Sequence, residues 1–320
     1  MSSQVLYDSP GPRTRRYTLI GSLVFGALAL AGLYAFVYRP LAANNQFSAD
    51  LWGPLADPSN ENFPLVWDRI RTGFANTLAA AALAIAASLI IGTALGVLRF
   101  RLAAVVAAPR PRTASARWWA VRTAVWVLNV VTRVFVEFFR GLPVVLTIFF
   151  TARILPEYGV DLPTRYFLVI GLALYNSVII GEILRSGMAN LPRGQREAAE
   201  AIGLSGTQTV LSILLPQAFR IMLPALISQV VVVLKDTSLG FIISYEEALQ
   251  VASQIIQVLH NPIQVYAVIA AIYIALNYTL SRLATYAQRR IARGRKSPPG
   301  AVVPDVLVPS RLGGAGEGPL

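Results

Sequence analysis

Thr77–Leu98 reads TLAAAALAIAASLIIGTALGVL, a run of alanine, leucine and isoleucine without a single charge. As an α-helix it rises about 33 Å, and the hydrocarbon layer of a membrane is about 30 Å thick. It is therefore read as a membrane span. Just before it, a short amphipathic stretch sets Val66, Ile70 and Phe74 on one side and Asp68, Arg69 and Arg71 on the other. Residues 39–63 are polar and slightly acidic, with Asp50, Asp57, Glu61 and several prolines, and are expected to form a loop. Residues 17–38, from Tyr17 to Tyr38, form a second apolar run. It is too long for the core of a secretory signal and lacks a clean small-residue cleavage site, so it is expected to be a retained first span. Residues 1–16 ahead of it are polar and carry Arg13, Arg15 and Arg16.

Downstream of Leu98, residues 99–122 hold Arg99, Arg101, Arg110, Arg112, Arg117 and Arg122 with two prolines, and read as a basic loop. Val121–Phe139 is apolar but broken by Arg133 and Glu137. It is expected to lie at the membrane interface and to feed a span that continues through Pro143–Ile154. Tyr166–Leu184, Ala218–Leu234 and Val265–Leu283 complete six spans. The segment after 290 is basic, then rich in proline and glycine, and is expected to be disordered.

The whole composition agrees. Of 320 residues, 55% are hydrophobic and only 14% are charged, against about a quarter in soluble domains. The formal net charge of +12 is spread between and beside the apolar runs. It makes no single patch interleaved with aromatics, which argues against nucleic acid as a partner. Instead it alternates. The N-terminus and residues 99–122, 185–220 and 282–296 are basic, whereas 39–63, 155–165 and 236–263 are not. The positive-inside rule then puts both termini in the cytoplasm. The chain has no cysteine and a single histidine, His260, which excludes thiolate chemistry and multi-histidine metal sites. No metal, cofactor or catalytic residue is expected.

The polar insert 185–217, RSGMANLPRGQREAAEAIGLSGTQTVLSILLPQ, lies on the arginine-rich side. Its residues predict two short helices. The first covers 194–202 and ends at Gly203 as a left-handed cap. Ser205 caps the second, with Gln208 as the reciprocal partner of a capping box. That helix is expected to run to about Leu215 and stop near Pro216. Glu197 and Glu200, with Arg193 and Arg196, offer charges to a partner, and Ala198 and Ala199 allow close approach.

Glu197-Ala198-Ala199, three residues, Gly203, nine residues, then Ile213-Leu214-Leu215-Pro216 resembles the EAA motif of ATP-binding-cassette importer permeases, in register. In that family this loop is the coupling helix that docks on the ATPase subunit. Glu197, Ala198, Ala199, Gly203, Ile213, Leu215 and Pro216 are the positions that carry the role across. Glu137-Phe138-Phe139-Arg140-Gly141-Leu142-Pro143, with Leu142 at a usual threonine, is similar to the E-F-F-R-G-T-P segment of the polar amino acid branch. So are Leu234-Lys235-Asp236-Thr237-Ser238-Leu239 and the pair Asn176-Ser177 followed by Gly181-Glu182-Ile183. The resemblance covers roughly 70–290. It implies an all-α integral membrane protein with the type I importer permease fold. It also implies a second permease subunit, ATPase subunits and an external amino-acid-binding protein as partners, in a bacterial inner membrane. Cargo of the glutamate kind is the expectation.

An amino acid zwitterion needs acceptors for its ammonium and donors for its carboxylate. Polar groups inside a span are costly and are candidates by default. Asn176 and Ser177 lie mid-span, and Gln229 and Asp236 stand seven residues apart on one helix face. Asp236 can accept from an ammonium group; Asn176 and Gln229 can bond a carboxylate or an amide. Asn and Gln also bridge membrane helices, and both readings stay open for Asn176. Glu182 and Arg185 suit a helix-end pair, as do Arg133, Glu137 and Arg140. Three other classes compete, and one of them, a membrane enzyme such as a lipid-modifying hydrolase, needs a converging nucleophile and base that the lone His260 does not supply. An ion-coupled secondary transporter needs mid-span carboxylates and an inverted repeat, and neither is visible. A membrane scaffold without transport leaves the 197–216 pattern unexplained. The chain lacks G-x-x-x-x-G-K-[ST], so ATP hydrolysis falls to a partner.

The expected organisation is a cytoplasmic tail at 1–16, an additional helix at 17–38, and an extracytoplasmic loop with its amphipathic lead-in at 39–73. A transmembrane domain at 74–290, with coupling helices at 190–216, and a tail at 291–320 complete it.

Overall fold

A computed structural model describes residues 11–109, 111 and 115–293. The apolar runs fold as helices because lipid offers no partner to free backbone groups, so each span must satisfy its own. Among the described residues, six helices are long and apolar enough to cross a membrane. They are α1 (Pro12–Ala43), α3 (Phe63–Ala107), α4 (Ala116–Gly141), α6 (Thr164–Ala189), α8 (Gly206–Ile243) and α10 (Pro262–Arg293, apolar to Tyr286). Shorter helices lie between them: α2 (Ala49–Ala56), α5 (Val144–Glu157), α7 (Arg193–Ala201) and α9 (Ala248–Leu259).

The centre is the crossing of α3 and α6, set by glycines. A β-carbon on Gly96 would stand 2.6 Å from the carbonyl oxygen of Gly181, and one on Gly92 would stand 2.7 Å from that of Ser177. Backbone meets backbone there, so only residues without a side chain fit. Further along the same helix pair Ala80, Ala84, Ile148, Leu168, Leu172, Val233 and Tyr245 form one core. A second core joins the start of α3 to α9 and α10 through Ile70, Phe74, Val251, Ile255, Val265 and Ile269. A third, of Met188, Val210, Leu214 and Ala218, closes the opposite end.

Several sequence expectations are corrected. The chain from 39 to 63 is not simply a loop: α1 runs on to Ala43 through a π-turn at Tyr34–Tyr38, and α2 follows. Its turns are fastened by Trp67 Nε1 to Leu55 O (3.1 Å), Asn261 Nδ2 to Leu51 O (2.9 Å) and Gln264 Nε2 to Gln46 O (2.6 Å). The basic segment 99–122 is mostly helical, because α3 continues to Ala107 and α4 begins at Ala116. The third span region is also different. Ala116–Gly141 itself is long and apolar enough to cross, and Pro143 then opens the separate, shorter α5. Tryptophans and valines outweigh Arg133 and Glu137 in that run. The helix after Ser205 does not stop at Pro216. Thr209–Leu214 widens into a π-turn just ahead of the proline and α8 passes through. A wider turn relieves the clash between a proline ring and the preceding carbonyl. The expected disorder beyond 293 and most of the N-terminal tail lie outside the described residues.

Candidate functional site

The insert 185–217 folds as its local chemistry dictates. At the end of α7, Gly203 adopts φ +80°, Gly203 N–H donates to Glu200 O (3.0 Å) and Leu204 N–H to Ala199 O (3.1 Å). These two bonds make a Schellman cap, which a glycine allows because a β-carbon disfavours that φ. Two residues on, Ser205 Oγ accepts from Gln208 N (3.4 Å), while Gln208 Oε1 accepts from Ser205 N (2.9 Å). The capping box is complete. The turn between α7 and α8 is therefore specified residue by residue.

This bent pair is anchored inward and bare outward. Ala199 is buried, Val210 and Leu214 pack with Met188 of α6, and Ile213 and Leu215 cover the same core. Gln217 Nε2 donates to Ile213 O (2.9 Å) and reaches Gln195 Oε1 (3.3 Å), tying α8 back to α7. Glu197, Ala198, Gly203 and Pro216 are exposed. Arg196 and Glu200 approach each other at 3.9 Å within α7, whereas Glu197 has no ion pair among the described residues. The Met188 and Gln217 contacts had no signal in the sequence, since they join segments whose spacing is not periodic.

Immediately before the pair, α6 is locked to α3 by charge. Glu182 Oε2 accepts from Arg99 Nη1 (2.6 Å), and Arg185 Nε donates to both Glu182 oxygens (3.0 Å). The helix-end pairing of Glu182 with Arg185 thus extends to a second helix. Arg140 and Glu137 are 4.0 Å apart and exposed.

The mid-span candidates separate into two groups. Asn176 is fully buried; its Oδ1 accepts from Gln229 Nε2 (2.6 Å) and its Nδ2 donates to Leu172 O (2.9 Å). Ser177 is buried and donates to Leu174 O (3.0 Å) of its own helix. Asp236 stands apart, partly buried at the end of the α-helical part of α8, and forms no ion pair with Lys235. Its neighbours Lys235 and Ser238 line a cavity of about 410 Å³ with Tyr266 and Tyr273.

Residues 113–293 match the family described as binding-protein-dependent transport system inner membrane component. The chain belongs to that family. It is 36% identical over 260 residues to the glutamate transport system permease protein GluD of Corynebacterium glutamicum, spanning 80% of this chain and 85% of that protein. It is 35% identical over 230 residues to the probable glutamine ABC transporter permease protein GlnP of Bacillus subtilis, spanning 70% and 92%. Among solved structures, an amino acid ABC transporter crystallised with histidines aligns with TM-score 0.57 at 24% identity, over 70% of this chain and 94% of that one. The inward-facing MetNI methionine ABC transporter aligns with TM-score 0.56 at 18% identity, over 71% and 98%. These likenesses establish the importer permease fold for this inner membrane component. The structure holds α7 and the start of α8 at the base of that fold, where α6 delivers them.

Proposed function

We propose that this chain is the permease subunit of an ATP-driven importer for a polar amino acid of the glutamate–glutamine kind. It lines half of a translocation path and takes its energy from ATPase subunits that hydrolyse ATP. The α7–α8 pair carries the reading: a hydrogen-bonded knob, rooted in the core through Met188, Val210 and Leu214, with Glu197 and Ala198 facing out. A knob so fixed passes a push from a docked ATPase to α6 and α8 as rigid bodies. The relatives' names speak for glutamate or glutamine as cargo. A second permease, identical or a sister chain, completes the path, and an external binding protein delivers the substrate.

In this reading both termini, the 99–122 segment and the 190–216 couplers face the cytoplasm, and 39–73 faces outward. The transmembrane domain proper covers 74–290, with residues 17–38 as an additional helix. Asp236, next in sequence to Lys235 of the cavity lined by Lys235, Ser238, Tyr266 and Tyr273, is the substrate contact. Asn176 and Gln229 hold the helix pair behind it.

The test is uptake by the reconstituted complex across a panel of polar amino acids, with the binding protein present. ATPase activity is expected only with the partner subunit, rising with binding protein and amino acid. Asp236→Ala is expected to impair uptake more than assembly. Solute movement by the chain with no ATPase attached, or labelling of Glu197 from the outer side, would overturn the reading.

A further inference from the structure

Between the end of α3 and the α7–α8 pair a cavity of about 350 Å³ opens. Its walls are of two kinds. Phe100, Ala104 and Leu214 give an apolar side, and Arg101 and Arg196 give a cationic side with Glu200 as the one carboxylate in the lining. Glu200 lies 3.9 Å from Arg196 and is matched within its own helix. Arg101 is partly buried and has neither ion pair nor hydrogen bond among the described residues. Its guanidinium rests against the backbone at Gly206, where a β-carbon would overlap Nη1. A partly buried guanidinium gains from a counter-charge, and among the described residues the lining holds two cations to one carboxylate.

The depth of the cavity says where that anion comes from. The uncharged run of α3 ends at Leu98, so Arg101 stands three residues beyond it, where apolar sequence gives way to charged. At the end of α3, a few residues further on, α4 starts its return. Arg122 donates to Val106 O (2.8 Å) and Ala108 O (3.0 Å) and lies 5.0 Å over the Trp118 ring. Tryptophan and arginine in company mark the membrane–water interface.

We propose that this cavity binds a phosphate anion, with Arg101 as its principal ligand and Arg196 as the second cation. A guanidinium fork matches phosphate oxygens two at a time. The apolar wall beside it fits the headgroup of an anionic phospholipid, with free phosphate as the other source of the same chemistry. Bound there, the anion fastens α3, which supplies Arg101, to α7, which supplies Arg196. The site depends on the fold and not on the cargo.

The test uses the purified full chain in phosphatidylcholine nanodiscs, with phosphatidylglycerol added, or with inorganic phosphate added instead. Native mass spectrometry counts retained lipid, and thermal unfolding reads the stabilisation that binding confers on the folded state. Wild type is expected to retain phosphatidylglycerol and to unfold several degrees higher with it. Arg101→Gln is expected to lose most of both effects. Gly206→Ala, which displaces the guanidinium while keeping every charge, is expected to do the same, and Arg153→Gln elsewhere on the surface is expected to respond as wild type. An equal rise with inorganic phosphate alone supports the site with free phosphate as its source. Unchanged lipid retention and midpoint shift in both Arg101→Gln and Gly206→Ala would overturn the proposal. So would intact lipid retention in Arg101→Gln together with lost binding of the ATPase subunit, which gives the arginine to a partner's carboxylate instead.

Discussion

Asn176 Oδ1 accepts a 2.6 Å hydrogen bond from Gln229 Nε2 across the contact of α6 and α8, fifty-three residues apart in the chain. The bond, with the one from Asn176 Nδ2 to Leu172 O, employs the buried amide in holding two helices together. Gln229→Leu would leave Asn176 Oδ1 buried without its partner. Hydrogen bonds between membrane helices contribute about 0.6 kcal/mol on average and up to about 1.7 kcal/mol. A loss toward the upper end is expected, read as a lower unfolding midpoint of the purified chain. The KM for amino acid uptake is expected to change less than in Asp236→Ala.

The α3–α6 crossing admits no side chain. Gly96→Ala would place a β-carbon 2.6 Å from Gly181 O and 3.2 Å from Gly181 Cα, and backbone atoms cannot rotate aside. The helices must part, at a cost of about 1–3 kcal/mol for an overpacked interior. Lower yield of folded protein and a lower unfolding midpoint are expected. Gly194→Ala, in the first turn of α7 with open space around it, is the control and is expected to be harmless.

Glu197 is exposed on α7 and unpaired among the described residues, so a change there leaves the core untouched. Glu197→Lys is expected to insert and fold as wild type but to lose coupled ATP turnover in the reconstituted complex. Wild-type transport by this variant would count against docking through α7.

Glu247 lies outside the spanning helices, at the start of α9, fully buried. Burial pushes its carboxyl above the ordinary carboxylate value, partly opposed by the backbone N–H groups of Leu249 and Gln250 and by the Tyr273 hydroxyl. A raised carboxyl pKa means the folded state holds its proton longer than the unfolded chain does. Its contribution is therefore fullest below the unfolded pKa of about 4.3 and is lost as pH rises through the folded value. Glu247→Gln keeps an acceptor for Gln250 N–H and removes the ionisation. Unfolding midpoints measured across mildly acidic to neutral pH should fall for wild type relative to this variant as pH rises. Parallel curves would show that Glu247 does not titrate in that window.

Much of the architecture was legible in one dimension. Thr77–Leu98 and its counterparts identify themselves as spans because hydropathy needs no partner beyond lipid. Gly203 and the Ser205–Gln208 box could be read because caps are closed by residues within five positions of each other. The boundaries were harder. Arg133 and Glu137 suggested an interfacial helix, yet the 26 residues of Ala116–Gly141 are long and apolar enough to cross with those two charges among them. Pro216 suggested a stop, but a π-turn upstream gives its ring room. Stop signals state a local cost, and packing of Val210 and Leu214 on Met188 outweighs it.

The sequence by itself determined that this chain is a bundle of membrane helices carrying a capped helical pair on its basic side, because both properties arise from contiguous residues. Tertiary structure alone decided which polar groups meet. It paired Asn176 with Gln229 and Arg99 with Glu182, left Asp236 partly buried without an ion pair, and gave Arg101 no ion pair among the described residues. Those outcomes depend on how α3, α6 and α8 cross, and the crossings are set by backbone contacts at Gly92, Gly96 and Gly181 whose partners lie more than eighty residues away. No local pattern encodes a distance of that kind.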